Sequence, residues 1–294
     1  MRSLKTWIIS IVIALVLFAA FLGLFTSFII SRFTAFELLF TLSPANIQIQ
    51  EMNILLLGVD ATAGIRRSDT IMVAHVNPKE RTVNLVSIPR DMMVVIPGVK
   101  LDKINHAYAF GGPELACTTT AGFLGVPIEK YIKINIDSLE KIIDRIGGVT
   151  VDVDQRMYYV DYAGGLFIDL KPGIQRLNGK QAIGYLRFRH DAKGDIGRVQ
   201  RQQKFLQELG AEIAKSKNFV QIYQILLDMA GGVETNMGTS QILGLASVVR
   251  QAYEMAGISV NSLYGSGTMI DGVYYMQPDM NQVARIRQRY LRSR

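Results

Sequence analysis

The feature that most constrains this chain is an uncharged stretch of 24 residues near its start, Trp7–Ile30. A helix rises about 1.5 Å per residue, so the stretch can cross a hydrocarbon core about 30 Å thick. Arg2 and Lys5 precede it and only Arg32 follows closely, so the positive-inside rule places the first residues in the cytoplasm. The stretch exceeds the apolar region of about 7–15 residues in a cleaved signal peptide, which predicts an uncleaved anchor.

The chain is predicted to divide around this anchor. Residues 1–6 form a cytoplasmic tail, residues 7–30 the transmembrane helix, and residues 31–50 a juxtamembrane stalk interrupted by Ser43-Pro44. The remaining residues, 51–294, contain no polar or Pro/Gly-rich linker and are interpreted as one extracytoplasmic domain. Apolar residues make up 49% of the chain and charged residues 19%, so the domain can bury a core.

Strand-like and helix-like segments alternate through the domain. Apolar β-rich runs and helical patterns predict strands at Ile54–Val59, Ile71–Val76, Val83–Ile88, Tyr131–Ile136, Val149–Val153 and Ile258–Leu263, and helices at Pro113–Leu124, from Asp137 to Gly147, after Arg198, at 217–230, at 239–256 and after Pro278. A turn at Asn77-Pro78 predicts that the second and third strands form a hairpin, and residues 157–170 predict another. Continuous apolar strands need burial on both faces. The predicted fold is therefore α/β, with a mixed central β-sheet covered by helices.

Composition excludes several classes of function. The single cysteine, Cys117, cannot form an intrachain disulfide or a Cys-based zinc site, and is interpreted as a structural thiol. The three histidines lack the spacing of a metal site or of a nucleophile and base pair. A net charge of +7 would suit nucleic acid, but the predicted topology separates the domain from the chromosome. We therefore expect no nucleic-acid partner and favour anionic lipid or polymer.

Arginine and aspartate residues cluster at three places where strands or helices are predicted to end. The clusters are Asp60 with Arg67-Ser68-Asp69, then Ser87-Ile88-Pro89-Arg90-Asp91, then Arg187-Phe188-Arg189 followed by Asp195, Arg198, Arg201 and Gln202. Arginine is planar, permanently charged and able to make paired hydrogen bonds, which suits a diphosphate. These clusters are the candidate site.

The third cluster carries two predictions, each with an alternative. An extended chain at 186–189 would project Arg187 and Arg189 to one side as a clamp, but both could equally be exposed residues of an edge strand. Asp195 is placed to cap a helix that carries Arg198 and Gln202 on one face, and a helix start favours anions. The alternative for Gln202 is a buried amide whose hydrogen bonds are satisfied.

Carboxylates in the first two clusters predict a metal site. Asp60 and Asp69 would hold Mg²⁺, a hard cation bound through carboxylates together with phosphate oxygens. Alternatively they only pair with Arg67 or Arg90. Asp91 is expected to position Arg90 by an ion pair. The C-terminal arginines are interpreted as a solvated helical face, with contact to anionic lipid or polymer as the alternative.

The motifs together resemble the LytR-CpsA-Psr family. They are Asn53–Asp60, Arg67-Ser68-Asp69-Thr70, Ser87–Asp91, Lys103-Ile104-Asn105, Gly147-Gly148-Val149 and Arg187–Gln202. The resemblance implies a membrane-anchored, extracytoplasmic phosphotransferase that moves a glycopolymer, such as teichoic acid or capsular polysaccharide, from polyprenyl diphosphate to peptidoglycan or another wall polymer. It further implies an apolar cavity for the polyprenyl chain between sheet and helices.

The resemblance also assigns roles to the candidate residues. By matching motif, it implies diphosphate binding by Arg67, Arg90, Arg187, Arg189, Arg198 and Gln202, with support from Asp195, Asp91 and Arg201. It implies that Asp60 and Asp69 bind Mg²⁺, with Mn²⁺ as the alternative, and that Asp69 and Arg90 are the catalytic pair. The proton acceptor stays open among Asp69, another carboxylate, the metal and solvent. Competing functions are a non-catalytic polyprenyl phosphate-binding protein, a diphosphate hydrolase and a transcriptional regulator.

Overall fold

The computed structural model describes most of the chain beyond its first 48 residues. The described residues are 49–60, 67–162, 165–188 and 233–291, with 197, 201, 204, 205 and 207–212. The predicted anchor at Trp7–Ile30, most of the stalk and the helix predicted at 217–230 lie outside them, so the domain boundaries stay predictions. None of the helices within these residues is both long enough and apolar enough to span a membrane.

Fourteen strands and five helices have defined bounds in the described residues. The strands are β1 Met52–Asp60, β2 Arg67–Asn77, β3 Thr82–Ile88, β4 Met93–Ile96, β5 Lys100–Lys103, β6 Lys130–Asn135, β7 Val149–Val153, β8 Met157–Asp161, β9 Leu166–Leu170, β10 Gly173–Leu177, β11 Val233–Thr235, β12 Ile258–Ser262, β13 Gly265–Ile270 and β14 Val273–Pro278. The helices are α1 Ile104–Leu124, α2 Ile136–Arg145, α3 Gly179–Arg187, α4 Thr239–Glu254 and α5 Met280–Tyr290. The described residues from 197 to 212 are also helical.

Six strands form the central sheet, in the order β11-β6-β1-β2-β3-β12. β1 runs parallel to β6 and antiparallel to β2, and β3 runs antiparallel to β2 and parallel to β12. The predicted mixed sheet and the hairpin through Asn77 are therefore confirmed. This topology brings the C-terminal ends of β1, β3, β6 and β12 to the same edge as the start of β2.

Both faces of the central sheet are buried, as the continuous apolar strands predicted. On one face, Leu55 and Leu57 of β1 belong to a core with residues of α1 and α5, such as Val283. On the other face, Ile54 packs in a core with Val248 and other residues of α4. Successive side chains of β1 point to opposite faces, so the strand's register determines which of them enter each core. Full burial of each large aliphatic side chain stabilises the fold by about 1.5–3 kcal/mol.

A third core lies outside the central sheet. The hairpin β8–β9 and the pair β7–β10 pack with α2 and α3 around buried residues such as Ile143, Val151 and Tyr185. Phe205 and Leu209, from the helix predicted after Arg198, belong to the same core. This core holds α3 against α2, and α2 begins directly after β6, at the sheet edge described above.

Helix α1 is kinked at Gly111 and Gly112. Gly112 has φ +67° and ψ −162°, a conformation that residues with a Cβ rarely adopt, and Pro113 follows it. Proline is accepted in the first turn of the second half because its missing N–H would be unsatisfied there anyway. The sequence predicted only this second half, whereas the helical segment begins nine residues earlier, at Ile104.

Two details of the predicted elements are wrong. The N-cap of α2 is Asn135, whose Oδ1 accepts a hydrogen bond of 2.7 Å from the Ser138 amide, and Asp137 instead lies in the first turn. The hairpins β4–β5 and β13–β14 were not predicted.

Cys117 is a free, buried cysteine, and burial raises the pKa of its thiol to about 11, in keeping with a structural thiol.

A buried histidine gives the fold a pH dependence that can be measured. His75 Nδ1 lies 2.9 Å from Asn53 Oδ1, and burial lowers the His75 pKa below its ordinary value, against the opposing charges of Glu51 and Glu80. The folded chain then binds this proton less readily than the unfolded chain, so stability present above about pH 6.5 is lost as the pH falls. We expect the drop in Tm between about pH 7.5 and about pH 5.5 to be smaller in His75→Gln than in the wild type. Equal drops would contradict this.

Candidate functional site

The first two arginine and aspartate clusters lie at the same edge of the central sheet. Asp60 ends β1 and is the register partner of Arg67, which begins β2. β3 ends at Ile88, and the loop carrying Arg90 and Asp91 follows it. The topology thus brings together two clusters that are about 20 residues apart in sequence, as the motif positions at strand ends predicted.

A β-bulge interrupts the ladder between β1 and β2 at this edge. Gly58 pairs with Thr70 and Val59 pairs with Ser68, which leaves Asp69 as the extra residue. Bulges are common next to active sites, where they redirect side chains. Ser68 is fully buried, and its Oγ makes no hydrogen bond in the described structure. An unsatisfied buried hydroxyl is costly, so a polar partner for the Ser68 hydroxyl at this bulge would stabilise the protein.

The loop after β3 is fixed by backbone hydrogen bonds to two distant segments. The carbonyl of Arg90 accepts from the Asn105 amide at 3.2 Å, and that of Met92 accepts from the Ile104 amide at 2.8 Å. The carbonyl of Asp91 accepts from the Met276 amide of β14 at 2.9 Å. The start of α1 and the strand β14 therefore hold the arginine-bearing loop in place.

Charged side chains on this loop form a small network. Asp91 Oδ2 lies 3.6 Å from Arg90 Nε, and Asp91 Oδ1 lies 3.0 Å from Lys103 Nζ. One carboxylate thus stands between two cations, and the group carries a net positive charge. The Arg90 side chain is 28% exposed, so part of the guanidinium can meet a ligand. Such a partly buried cationic group attracts phosphate more strongly than a fully solvated one.

Sequence reasoning assigned no role to Lys103 and Asn105. Both belong to the Lys103-Ile104-Asn105 motif that contributed to the family resemblance, but only the structure shows that they contact the Arg90 loop. Asn105 is 5% exposed, and its Oδ1 has no hydrogen-bond partner in the described structure. The motif itself was the signal available in the sequence, since it belongs to the set of motifs that carries the family resemblance.

The third cluster is only partly described, and its geometry differs from the expected clamp. Leu186 and Arg187 are the last residues of α3, so the predicted extended run over 186–189 is wrong at these two positions. The capping box between Asn178 and Gln181 starts this helix, and burial of Tyr185 holds its apolar side in the third core. The backbone becomes extended at Phe188. Arg189, Asp195, Arg198 and Gln202 lie outside the described residues.

Arg201 is buried next to Phe188, the residue that follows α3. It is 4% exposed, donates a hydrogen bond from its guanidinium to the Phe188 carbonyl, and stacks on the Phe188 ring at 5.6 Å. Burial, with a smaller contribution from Asp154, raises the pKa of Tyr185 to about 12, and the Arg201 charge acts in the opposite direction. Arg201 therefore positions the residue between Arg187 and Arg189.

These observations define the class of protein. It is an α/β protein with a mixed sheet, and at one end of that sheet the backbone brings together arginine and aspartate residues, of which arginine suits phosphate binding. The model of the LytR_cpsA_psr family matches residues 40–291. The chain belongs to the LytR-CpsA-Psr family.

A curated relative and two solved structures extend the comparison. The chain is 35% identical over 240 residues to the polyisoprenyl-teichoic acid–peptidoglycan teichoic acid transferase TagU of Bacillus subtilis, covering 80% of this chain and 75% of TagU. It is similar to a structure described as a transcriptional regulator from Enterococcus faecalis, with a TM-score of 0.71, 30% identity and coverage of 83% and 90%. It is also similar to TagT bound to LIIa-WTA, with a TM-score of 0.68, 27% identity and coverage of 84% and 92%.

Proposed function

We propose that this protein is a membrane-anchored phosphotransferase that moves a glycopolymer from a polyprenyl diphosphate carrier to peptidoglycan or another wall polymer. The observation that carries the proposal is the gathering of Asp60, Arg67, Asp69 and the Arg90 loop at one sheet edge. The relative TagU, named for transfer of teichoic acid to peptidoglycan, supports the choice of donor and acceptor. Teichoic acid is accordingly the first glycopolymer to test, ahead of capsular polysaccharide.

The reaction requires no covalent intermediate on the protein. An acceptor hydroxyl attacks the phosphorus that carries the glycan, a new P–O bond forms, and the P–O bond to polyprenyl phosphate breaks with its electron pair leaving on that phosphate. The hydroxyl proton passes to a carboxylate, with Asp69 as the first candidate, or to solvent. Arg90 and the other arginines stabilise the charge that develops on the phosphate oxygens.

Asp60 and Asp69 lie at the same end of β1 and β2, and carboxylates are residues that a hard divalent cation takes together with phosphate oxygens. They would hold Mg²⁺, or Mn²⁺ in its place, and the Ser68 hydroxyl, buried without a partner in the described structure, belongs to the same strand as Asp69. The ion would neutralise charge on the diphosphate. The chain contributes the orientation: the bulge sets the position of Asp69, and Asp91 and Lys103 set that of Arg90.

Product analysis separates this function from its competitors. The full chain, in bilayer nanodiscs with a polyprenyl diphosphate-linked glycan and soluble peptidoglycan strands, should form glycan joined to peptidoglycan and lose that activity in EDTA. Release of free glycan phosphate would indicate a hydrolase, and tight binding without turnover would indicate a carrier protein. Either outcome would contradict the transferase proposal.

The predicted anchor has its own test. We propose that Trp7–Ile30 places residues 51–294 outside the cytoplasm, where lipid-linked wall precursors and wall polymer meet. In intact protoplasts, an external protease should remove a tag fused after Arg294. A protected tag would place the domain inside and favour the regulator, the description given to the E. faecalis structure.

A further inference from the structure

A surface groove lies beside the arginine-bearing loop, between the hairpin β13–β14 and α5. It has a volume of about 520 Å³, within the usual range for small-molecule sites. Its walls are formed by Tyr264, Gly265, Ser266, Gln277, Pro278, Asp279, Gln282 and Arg285. None of these residues was assigned to the diphosphate site.

Backbone hydrogen bonds connect both strands of the hairpin wall to the segment that carries Arg90. The Leu263 amide donates to the Ser87 carbonyl at 2.9 Å, and Tyr264 follows directly. The Met276 amide donates to the Asp91 carbonyl at 2.9 Å, and Gln277 follows directly. Consecutive Cα atoms are about 3.8 Å apart, so the lining residues of both hairpin strands begin within about 10 Å of the Ser87–Asp91 segment.

The groove is held in a fixed shape before any ligand binds. The Tyr264 amide donates to Gln282 Oε1 at 2.8 Å, and Gln282 Nε2 donates to the Ser262 carbonyl at 3.4 Å. At Gly265, an added Cβ would lie 2.2 Å from the Gln277 carbonyl oxygen, so glycine is needed where β13 meets β14. A fixed groove loses less entropy when a ligand binds.

The chemistry of the groove suits sugar rings better than phosphate. The Tyr264 side chain is 58% exposed and offers an aromatic face to the C–H side of a sugar. Gln277 and Ser266 add neutral hydrogen-bonding groups. The two charged residues oppose each other, with Arg285 Nη2 lying 3.7 Å from Asp279 Oδ2, so neither sign of charge dominates. The Arg90 loop, by contrast, is cationic.

We propose that this groove binds the acceptor glycan, as a run of N-acetylhexosamine rings, and presents a hydroxyl toward the phosphate held at Arg90. The proposal rests on the transferase function above and adds to it the site of the acceptor. Donor and acceptor then occupy adjoining sites with different chemistry, one cationic and one neutral and aromatic. That separation explains how one protein takes a charged lipid and an uncharged sugar strand together.

The first test measures sugar binding without any transfer. The full chain in detergent is titrated with an N-acetylglucosamine tetrasaccharide by calorimetry and saturation-transfer NMR. Tyr264→Ala should weaken binding about five- to tenfold, since it removes an aromatic contact but keeps the backbone amide that bonds Gln282. Tyr264→Phe keeps the ring and should bind nearly as well. Tyr162→Ala, which removes a more exposed ring at the turn of the β8–β9 hairpin, should change nothing.

The second test separates failure of the groove from failure of the proposed function. In the transfer assay, Tyr264→Ala should raise the KM for the acceptor and leave the KM for the lipid-linked donor unchanged. Wild-type transfer together with equal tetrasaccharide affinity in Tyr264→Ala and wild type would overturn the groove assignment alone. Tetrasaccharide binding at Tyr264 without any transfer would keep the groove as a glycan site and overturn the transferase.

Discussion

Replacing Arg90 with alanine should reduce glycopolymer transfer about 100-fold or more. The expected loss corresponds to removing one preorganised donor from charge that develops in the transition state. The loop should keep its structure, because Asp91 retains Lys103 at 3.0 Å and three backbone hydrogen bonds hold residues 90–92 to α1 and β14. Arg90→Lys keeps the charge but loses the planar guanidinium, so we expect an intermediate loss. Transfer rates at saturating donor and acceptor provide the measurement.

Arg250→Ala is the matched control for this substitution. Arg250 lies on α4, away from the sheet edge, and its Nε lies 2.9 Å from Glu254 Oε1 in an exposed ion pair that contributes little to stability. The control should transfer at the wild-type rate. If Arg90→Ala keeps an undiminished rate and an unchanged Tm, Arg90 has no part in the chemistry. The same experiment on Arg189→Ala tests the third cluster.

Replacing Gly179 with alanine should lower the free energy of unfolding by about 2–3 kcal/mol, the usual cost of forcing extra atoms into a packed interior. Gly179 begins α3, and an added Cβ would lie 2.2 Å from the Glu140 carbonyl oxygen of α2. The backbone of one helix would have to move away from the other. Since α3 ends at Arg187, the shift should also displace that arginine and weaken donor binding. Urea unfolding followed by circular dichroism provides the stability measurement.

Gly122→Ala serves as the comparison because it makes the same change without the clash. Gly122 lies inside α1, and an added Cβ would meet no atom within 4 Å. Alanine favours a helix interior over glycine, so this variant should gain about 0.5–1 kcal/mol. If Gly179→Ala unfolded at the same urea concentration as the wild type, α2 and α3 would have to be less closely packed than the structure shows.

The strands that could be predicted are those whose runs of apolar residues reflect burial inside the sheet. β1, β2 and β3 are apolar on both faces and lie inside the sheet, so their positions were predicted within a few residues. The hairpin β13–β14 stands apart from the sheet, and its Met269 is 63% exposed. Side chains there show no alternation of burial, and the sequence therefore gave no strand signal. The hairpin β4–β5 was missed for a different reason: burial alternates along β4, but each strand has only four residues and β5 is mostly charged.

Prediction of the site followed a similar division. Strand ends carrying Asp60, Arg67 and Arg90 could be assigned to one region because strand direction determines which ends meet. The bulge at Asp69 depends on pairing between two strands, and the bond from Lys103 to Asp91 joins elements 12 residues apart. Neither has a local signature. The helical conformation of Arg187 was missed because alternating apolar and basic residues fit a strand as well as a helix end.

The bend at Gly111 and Gly112 divides α1 into two helical halves. The amides of the first half bond the Arg90 loop, and both halves pack in the same core, the first through residues such as Ala107 and the second through residues such as Leu124. In an unbroken helix, the packing of the later turns would also set the direction of the first turn. Because the bend separates the two halves, a change in the orientation of the second half need not move the Ile104 and Asn105 amides that hold the Arg90 loop.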